Sequence, residues 1–225
     1  MIRRQTHSCV SPKVDPLKLK LLDEYLLPGS CLDIGCGNGL YGRTMLERCA
    51  ELLQIDLVDR RSPEARQYPF RIMDANQLDL PQDSFDNVVA FDIMEHLDDD
   101  AAFLRHVLRI CRGRFICSVP NADDEQPRII ALTHMHHVDK THRREYTVQS
   151  LTALLQDNSL NVLEIRPHYN RGLFHASMAL AKRNVISRLV ARTISWQMQL
   201  YETLGLFENR CIADWFCAAG PSRTC

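Results

Sequence analysis

The sequence predicts an α/β protein built on a doubly wound, mostly parallel sheet of seven strands. Three observations carry this reading. Strand-like and helix-like apolar patterns alternate from about residue 16 to residue 120. The turn after the first strand-like run, "CLDIGCGNGLYG" (31–42), joins a buried strand to a helix through four glycines. Two more strand-like runs, near 161–167 and 211–219, follow a polar break.

Taken in order, "PLKLKLLDEYLL" (16–27) sets Leu17, Leu21, Leu22, Tyr25 and Leu26 on one helical stripe, which Pro28-Gly29 ends. "SCLDI" is the first strand. The pattern turns helical from Asn38 to about Cys49, and "LLQIDLVD" (52–59) is the second strand, completing a β-α-β start. "FRIMDA" and "FDNVVAFD" are the third and fourth strands, a helix runs from about Asp100 to Cys111, and "RFICSVP" is the fifth strand. Residues 121–146 are polar, rich in histidine and without period, which predicts a loop. "TVQSLTALLQDNSL" is a helix capped by Thr147, with Leu151, Leu154 and Leu155 on one face, and "NVLEIRP" is the sixth strand. A basic amphipathic segment over 180–206 then forms a helical insertion before the last strand, "CIADWFCAA".

The 225 residues suit a single domain. With 28 acids against 27 bases, the chain offers no overall field to draw it onto nucleic acid or an anionic membrane, so a small partner molecule is expected. The nine cysteines form no Cys-x-x-Cys pair, and Cys31, Cys117 and Cys217 sit in apolar runs, the pattern of reduced core thiols rather than of a disulfide scaffold. No run reaches the roughly 18 apolar residues of a membrane span, and the basic start "MIRRQTHSCVSPKVDP" leads into no apolar stretch. The expectation is a cytoplasmic protein without integral membrane association.

Glycines at a strand-to-helix turn let main chain approach a ligand closely, while the helix start offers unpaired amides. Gly37, Gly39 and Gly42 satisfy G-x-G-x-x-G, the dinucleotide fingerprint, and a tight turn without a ligand would also use them. Asp33, two residues before the first glycine, argues against a diphosphate and for a cationic ligand, since a carboxylate repels the one and attracts the other.

The glycine loop "DIGCGNG", the block "DANQLDLPQDSFDNVVAFDIMEHL" (74–97) and the strand "RFICSVPN" together resemble class I S-adenosylmethionine-dependent methyltransferases of the small-molecule group. The resemblance covers about residues 30 to 121 in matching order. It implies a Rossmann-like methyltransferase fold and S-adenosylmethionine, a ligand with an ammonium and a sulfonium but no phosphate. It also implies a cofactor-binding core over 16–121, in which Gly35, Cys36, Gly37 and Gly39 are main-chain walls and Asp33 stands near the amino group; a carboxylate capping loop amides is the other reading of Asp33. An acid ending the second strand would take both ribose hydroxyls. Asp56 and Asp59 compete for this role, and the short gap to Asp74, with Pro63 and Pro69 opposing a helix, favours Asp59. Asp74 would bind the adenine amino group, with Ala75 and Asn76 offering amides, and Phe91 would pack near the reactive methyl or fill core. Glu95 and His96 match the family's Glu-His pair, which orders the following turn.

Methyl transfer is an in-line displacement, and a general base matters only for an acceptor that starts protonated. By the resemblance, 122–146 is an acceptor-side loop, and "THMHHVDKTHRREYT" (133–147) supplies the candidates, His137 or His142, with Arg143 and Tyr146 nearby. Incidental histidines on a solvated loop are the alternative. Clustered imidazoles can also bind zinc or nickel, but no cysteine or carboxylate pattern supports that here, and no metal ligand is assigned. The segment 180–206 reads as a lid over a small-molecule acceptor, or as a homodimer or membrane-surface helix. An oxidoreductase using NAD or NADP on the same fold, and a catalytically silent partner protein of methyltransferase shape, are the other functional readings.

Overall fold

The computed structural model describes residues 14–122, 141–170 and 211–222, together with Thr193, Trp196 and Gln197. Seven strands form one sheet: β1 (Ser30–Ile34), β2 (Glu51–Asp56), β3 (Phe70–Ile72), β4 (Phe85–Phe91), β5 (Cys111–Pro120), β6 (Leu160–Asn170) and β7 (Cys211–Pro221). Their spatial order is β3-β2-β1-β4-β5-β7-β6. The strands from β3 to β5 pair in parallel, and β7 runs antiparallel between β5 and β6.

Period-two alternation divides the apolar residues between two layers. Leu32, Ile34, Val88, Ala90, Phe115, Cys117 and Cys217 join the layer of α3 (Asp100–Ile110) and α4 (Val148–Asp157) through Phe103, Leu104, Val107, Leu151 and Leu155. Their neighbours Cys31, Val89, Ile116 and Phe216 face α1 (Pro16–Tyr25) and α2 (Gly42–Arg48) through Leu21, Leu22 and Met45. Cys31, Cys36, Cys49, Cys111, Cys117 and Cys217 are buried and free of disulfides. The expected doubly wound sheet is therefore present.

Helix ends follow side-chain chemistry. Asp15 caps α1 by accepting the Leu17 amide at 2.8 Å, with Pro16 in the first position. Asp99 caps α3 through the Ala102 amide (2.8 Å), and Thr147 and Ser150 form a reciprocal capping box on α4. Helix α2 begins at Gly42 rather than at the expected Asn38, because Gly37 and Gly39 have φ of +55° and +75°, outside right-handed helix.

A second correction concerns β2. The strand was expected to run to Asp59, but its last rung pairs Asp56 with Ile72, and Asp59 lies in the following loop. That loop contains a single 3₁₀ turn, Ala65–Gln67. Arg61 organises it: the guanidinium grips both Asp59 oxygens (3.0 and 3.1 Å), donates to the Tyr68 carbonyl (2.8 Å) and lies 4.2 Å over the Phe70 ring. A buried arginine holds this connection without a crossover helix.

No helix among the described residues is long and apolar enough to cross a membrane. The segment 180–206, read as a lid or as a dimer or membrane-surface helix, lies outside the described residues except for Thr193, Trp196 and Gln197, which are helical and exposed. Removing a fully buried ring should be costly: Phe103→Ala, opposite Phe115, should lower unfolding stability by about 3–5 kcal/mol. Leu46→Ala on the exposed side of α2 should change it by no more than about 0.5 kcal/mol, both read from urea unfolding curves.

Candidate active site

The carboxyl ends of β1, β2 and β4 meet at the glycine loop, where a parallel sheet presents its ligands. The loop is pinned to β2: the amides of Gly35 and Cys36 donate to the Ile55 carbonyl (2.8 and 3.1 Å), and that of Gly37 donates to Asp56 Oδ2 (2.9 Å). At Gly35, φ is +69°, and a Cβ would come 1.9 Å from Ile93 Cδ1. At Gly39, a Cβ would come 2.6 Å from the Ala65 methyl group. The loop is therefore bare main chain, bounded by Ile93 on one side and by the Arg61 loop on the other.

Asp33 lies under this loop and is buried. Its carboxylate accepts from Gln54 Nε2 at 2.9 Å, so its protein partner is a side chain of β2. Burial pushes its carboxyl up to about 7; the Gln54 hydrogen bond works against the rise, and the charge of Asp56 adds to it. Cys36 is buried beside it, and burial raises its thiol far enough to leave it a poor nucleophile. Asp56 is half-buried at the strand end and turned toward the loop. Asp59 has both oxygens on Arg61, whose hydrogen bonds hold its carboxyl below the ordinary value.

After β3, Met73 donates to the Asp56 carbonyl (3.0 Å), which carries the chain past the crevice to Asp74. Exposed Asp74 holds the turn by accepting from the Asn76 amide and side chain (both 2.9 Å), while Ala75 packs on the core. Phe91, ending β4, is half-buried with Tyr41 edge-on at 5.3 Å. The cation over its ring is Lys18, 5.1 Å from the centroid.

Beyond Phe91 the structure assembles a polar cluster that sequence reasoning missed. Asp92 has φ of +54°, uncommon for a residue with a Cβ and a mark of a constrained site. Its carboxylate receives Lys18 Nζ and Ser118 Oγ, both at 2.5 Å. Half of its side-chain surface is open (51%), so the carboxylate is reachable from solvent. Burial works to raise its pKa, but Lys18 outweighs that and holds the carboxylate ionised. Nearby, His168 stacks on Phe216 at 4.8 Å, with Nδ1 2.9 Å from Asp214 and Nε2 3.5 Å from Asp15. Burial opposes its positive charge, but the two carboxylates raise its pKa above the ordinary value. These residues come from α1, β5, β6, β7 and the turn after β4. Only Asp92, an acid directly after a strand, has a local pattern that could have revealed it.

Of the two histidine candidates, His137 lies outside the described residues, as do His134 and His136. His142 is mostly buried, its ring edge-on to His96 at 4.7 Å and its Nε2 3.9 Å from Glu95 Oε1. Glu95 is 1% exposed, and burial, together with the charge of Asp92, pushes its carboxyl well above the usual range. Glu95, His96 and His142 offer ligand atoms within 4.8 Å of one another, a grouping that could hold a metal. Arg143 donates its amide to the Glu95 carbonyl (2.8 Å). Tyr146 is buried and donates to Asp100 (3.0 Å), and burial pushes its phenol up.

Comparison with known proteins agrees with this arrangement. A family model described as a methyltransferase domain matches residues 6–165. A probable S-adenosylmethionine-dependent methyltransferase of Mycobacterium tuberculosis is 34% identical over 133 residues, 56% of this chain and 46% of the relative. A ubiquinone biosynthesis O-methyltransferase of Hahella chejuensis is 29% identical over 111 residues, 44% of this chain and 47% of that protein. The chain thus spans about half the length of the curated relatives it matches. Among solved structures, the YcgJ protein of Bacillus subtilis superposes with a TM-score of 0.63 at 18% identity, covering 92% of this chain and 97% of that one. The Burkholderia thailandensis 1,6-didemethyltoxoflavin-N1-methyltransferase, solved with S-adenosylhomocysteine, gives 0.55 at 17% identity, covering 88% and 72%. Both share the fold.

Because Gly39 is left-handed and tightly enclosed, Gly39→Ala should destabilise the protein by at least about 1–2 kcal/mol, measured as a lower urea midpoint.

Proposed function

The chain belongs to the class I S-adenosylmethionine-dependent methyltransferase family, and from that premise we propose that it transfers the methyl group of S-adenosylmethionine to a small-molecule acceptor at oxygen or nitrogen. The observation that carries this reading is the bare glycine loop set over two carboxylates, Asp33 and Asp56. Such a crevice suits a ligand with an ammonium and a sulfonium and disfavours the diphosphate of a nicotinamide cofactor. The cations beside it do not change this, since Lys18 and Arg61 are paired with Asp92 and Asp59.

S-adenosylmethionine supplies, when bound, a methyl group on a positively charged sulfur. The chain's own residues bind and orient it. In this reading residues 16–121 are the cofactor-binding part. Gly35, Cys36, Gly37 and Gly39 offer main chain to the methionine portion, with Asp33 as counter-charge to its ammonium. Asp56 is assigned to the ribose hydroxyls: it ends β2 and faces the loop, whereas Asp59 would have to release a bidentate arginine first. Asp74 and Ala75 take the adenine edge, and Phe91 borders the reacting methyl. Asp92, held ionised by Lys18 directly after β4 with half its side chain open, accepts a hydrogen bond from the acceptor's O–H or N–H and aligns it opposite the sulfur. The relatives' acceptors, in ubiquinone biosynthesis and on a toxoflavin precursor, support a small molecule and leave oxygen and nitrogen both open.

Calorimetry tests the cofactor. S-adenosylmethionine and S-adenosylhomocysteine should bind and NAD should not; binding of NAD alone would end this reading. Asp56→Ala should weaken binding by at least about tenfold, the loss of hydrogen bonds to a charged group, and Asp59→Asn should weaken it by less than about threefold. The pH dependence follows from Asp33. Its carboxyl, with a pKa of about 7, is protonated in the free protein at lower pH, and a cationic ligand selects the ionised form. Affinity for S-adenosylmethionine should therefore rise between about pH 5.5 and pH 7.5, below the ligand's own α-amino titration, and Asp33→Asn should flatten the rise.

A further inference from the structure

Glu95 is a carboxylate in an awkward place. It sits in the 3₁₀ turn Met94–His96 directly after the crevice end of β4, 1% exposed, and its Oε2 has no hydrogen-bond partner. A buried acceptor left unsatisfied keeps its full desolvation penalty, more so if charged, so its retention calls for a compensating group. Among the described residues, two imidazoles bring ring nitrogens within 4.8 Å of its carboxylate. His96 is its chain neighbour, and His142 arrives from the segment before α4 with Nε2 3.9 Å from Glu95 Oε1, too far for a hydrogen bond.

We propose that Glu95, His96 and His142 form a site for one divalent transition-metal ion beside the crevice end of β4. Their ligand atoms lie within 4.8 Å of one another, and metal–ligand bonds of about 2.0–2.2 Å require them to draw together by roughly an ångström, a side-chain adjustment. The framework is already braced. The Arg143 amide holds the Glu95 carbonyl at 2.8 Å, which fixes the backbone beside His142 to the backbone of Glu95. Thr141 meets Nδ1 of His96 with its carbonyl (3.3 Å) and its hydroxyl (3.1 Å), the kind of outer contact that sets ring orientation and tautomer in imidazole sites. The surrounding field suits a cation, since Asp92 and Asp214 both act on Glu95, with Lys18 the opposing charge.

Two imidazoles and one carboxylate favour a borderline ion such as Zn²⁺, Co²⁺ or Ni²⁺, and bind Mn²⁺ more weakly, over the all-oxygen ions Ca²⁺ and Mg²⁺. Three protein ligands leave coordination positions open, and an oxygen acceptor bound there would lose its proton more readily. The site goes beyond the methyltransferase reading and does not depend on it, since metal binding is measured without S-adenosylmethionine.

The test is calorimetric titration of chelator-treated protein with Zn²⁺ and Mn²⁺, with the visible spectrum of the Co²⁺ form as a second readout. One ion per chain is expected. Glu95→Gln and His142→Ala should each weaken it at least roughly tenfold and change the Co²⁺ spectrum, with circular dichroism confirming that both variants fold. Should either fail to fold, His96→Gln serves as the binding variant. Replacing His134, His136 and His137 together should leave binding intact. The proposal is overturned if the folded protein takes up no ion stoichiometrically, if binding survives Glu95→Gln and His142→Ala, or if it disappears with the triple replacement instead.

Discussion

One hydrogen bond organises the ligand end of this protein: the amide of Gly37 donates to the carboxylate of Asp56 at 2.9 Å. It joins the left-handed turn after β1 to the end of β2, and it needs both the positive φ at Gly37 and an acid as the final residue of the strand. With the Gly35 and Cys36 amides on the Ile55 carbonyl, it holds the loop open as a main-chain wall rather than letting it collapse onto the sheet. The late start of α2 is a consequence, because a helix cannot begin until the left-handed residues are passed.

The electrostatics around that wall follow one pattern. Asp33 is buried below the loop and Asp56 lies along it, while the turn after β4 carries Asp92 and the buried Glu95. The cations Lys18 and Arg61 are already committed to Asp92 and Asp59. An interior of this kind gains by admitting positive charge, because an unpaired buried carboxylate is costly and a cation relieves it. The proposed sulfonium ligand and the proposed metal ion are two answers to the same surplus.

The link between β2 and β3 shows how a familiar layer can be omitted without loosening the sheet edge. A crossover helix would normally cover this end; here one 3₁₀ turn and the Arg61 side chain do so. Arg61 also holds Asp59 by both oxygens, the contact on which the proposal of Asp56 as the ribose ligand rests. Its Cγ would lie 3.3 Å from a Cβ at Gly39, so the same side chain forms part of the loop's boundary. Structural economy at the edge and definition of the site are therefore the work of one residue.

The sequence by itself determined the strands and their alternating faces, the caps at Thr147 and the positions of the glycines, because each depends on periodicity or chemistry within a few residues. Through its resemblance to a known family, the block from Asp74 to Leu97 also raised the expectation of a site region there. Only the tertiary structure decided that β2 stops at Asp56, because the end of a strand depends on where its partner stops pairing. It alone joined Lys18 to Asp92 across 74 residues and His168 to Asp214 across 46, and it brought the Glu95 carboxylate beside His142. Such meetings are set by how layers pack on the sheet, and no local pattern in the chain encodes the distance between residues that touch only after folding.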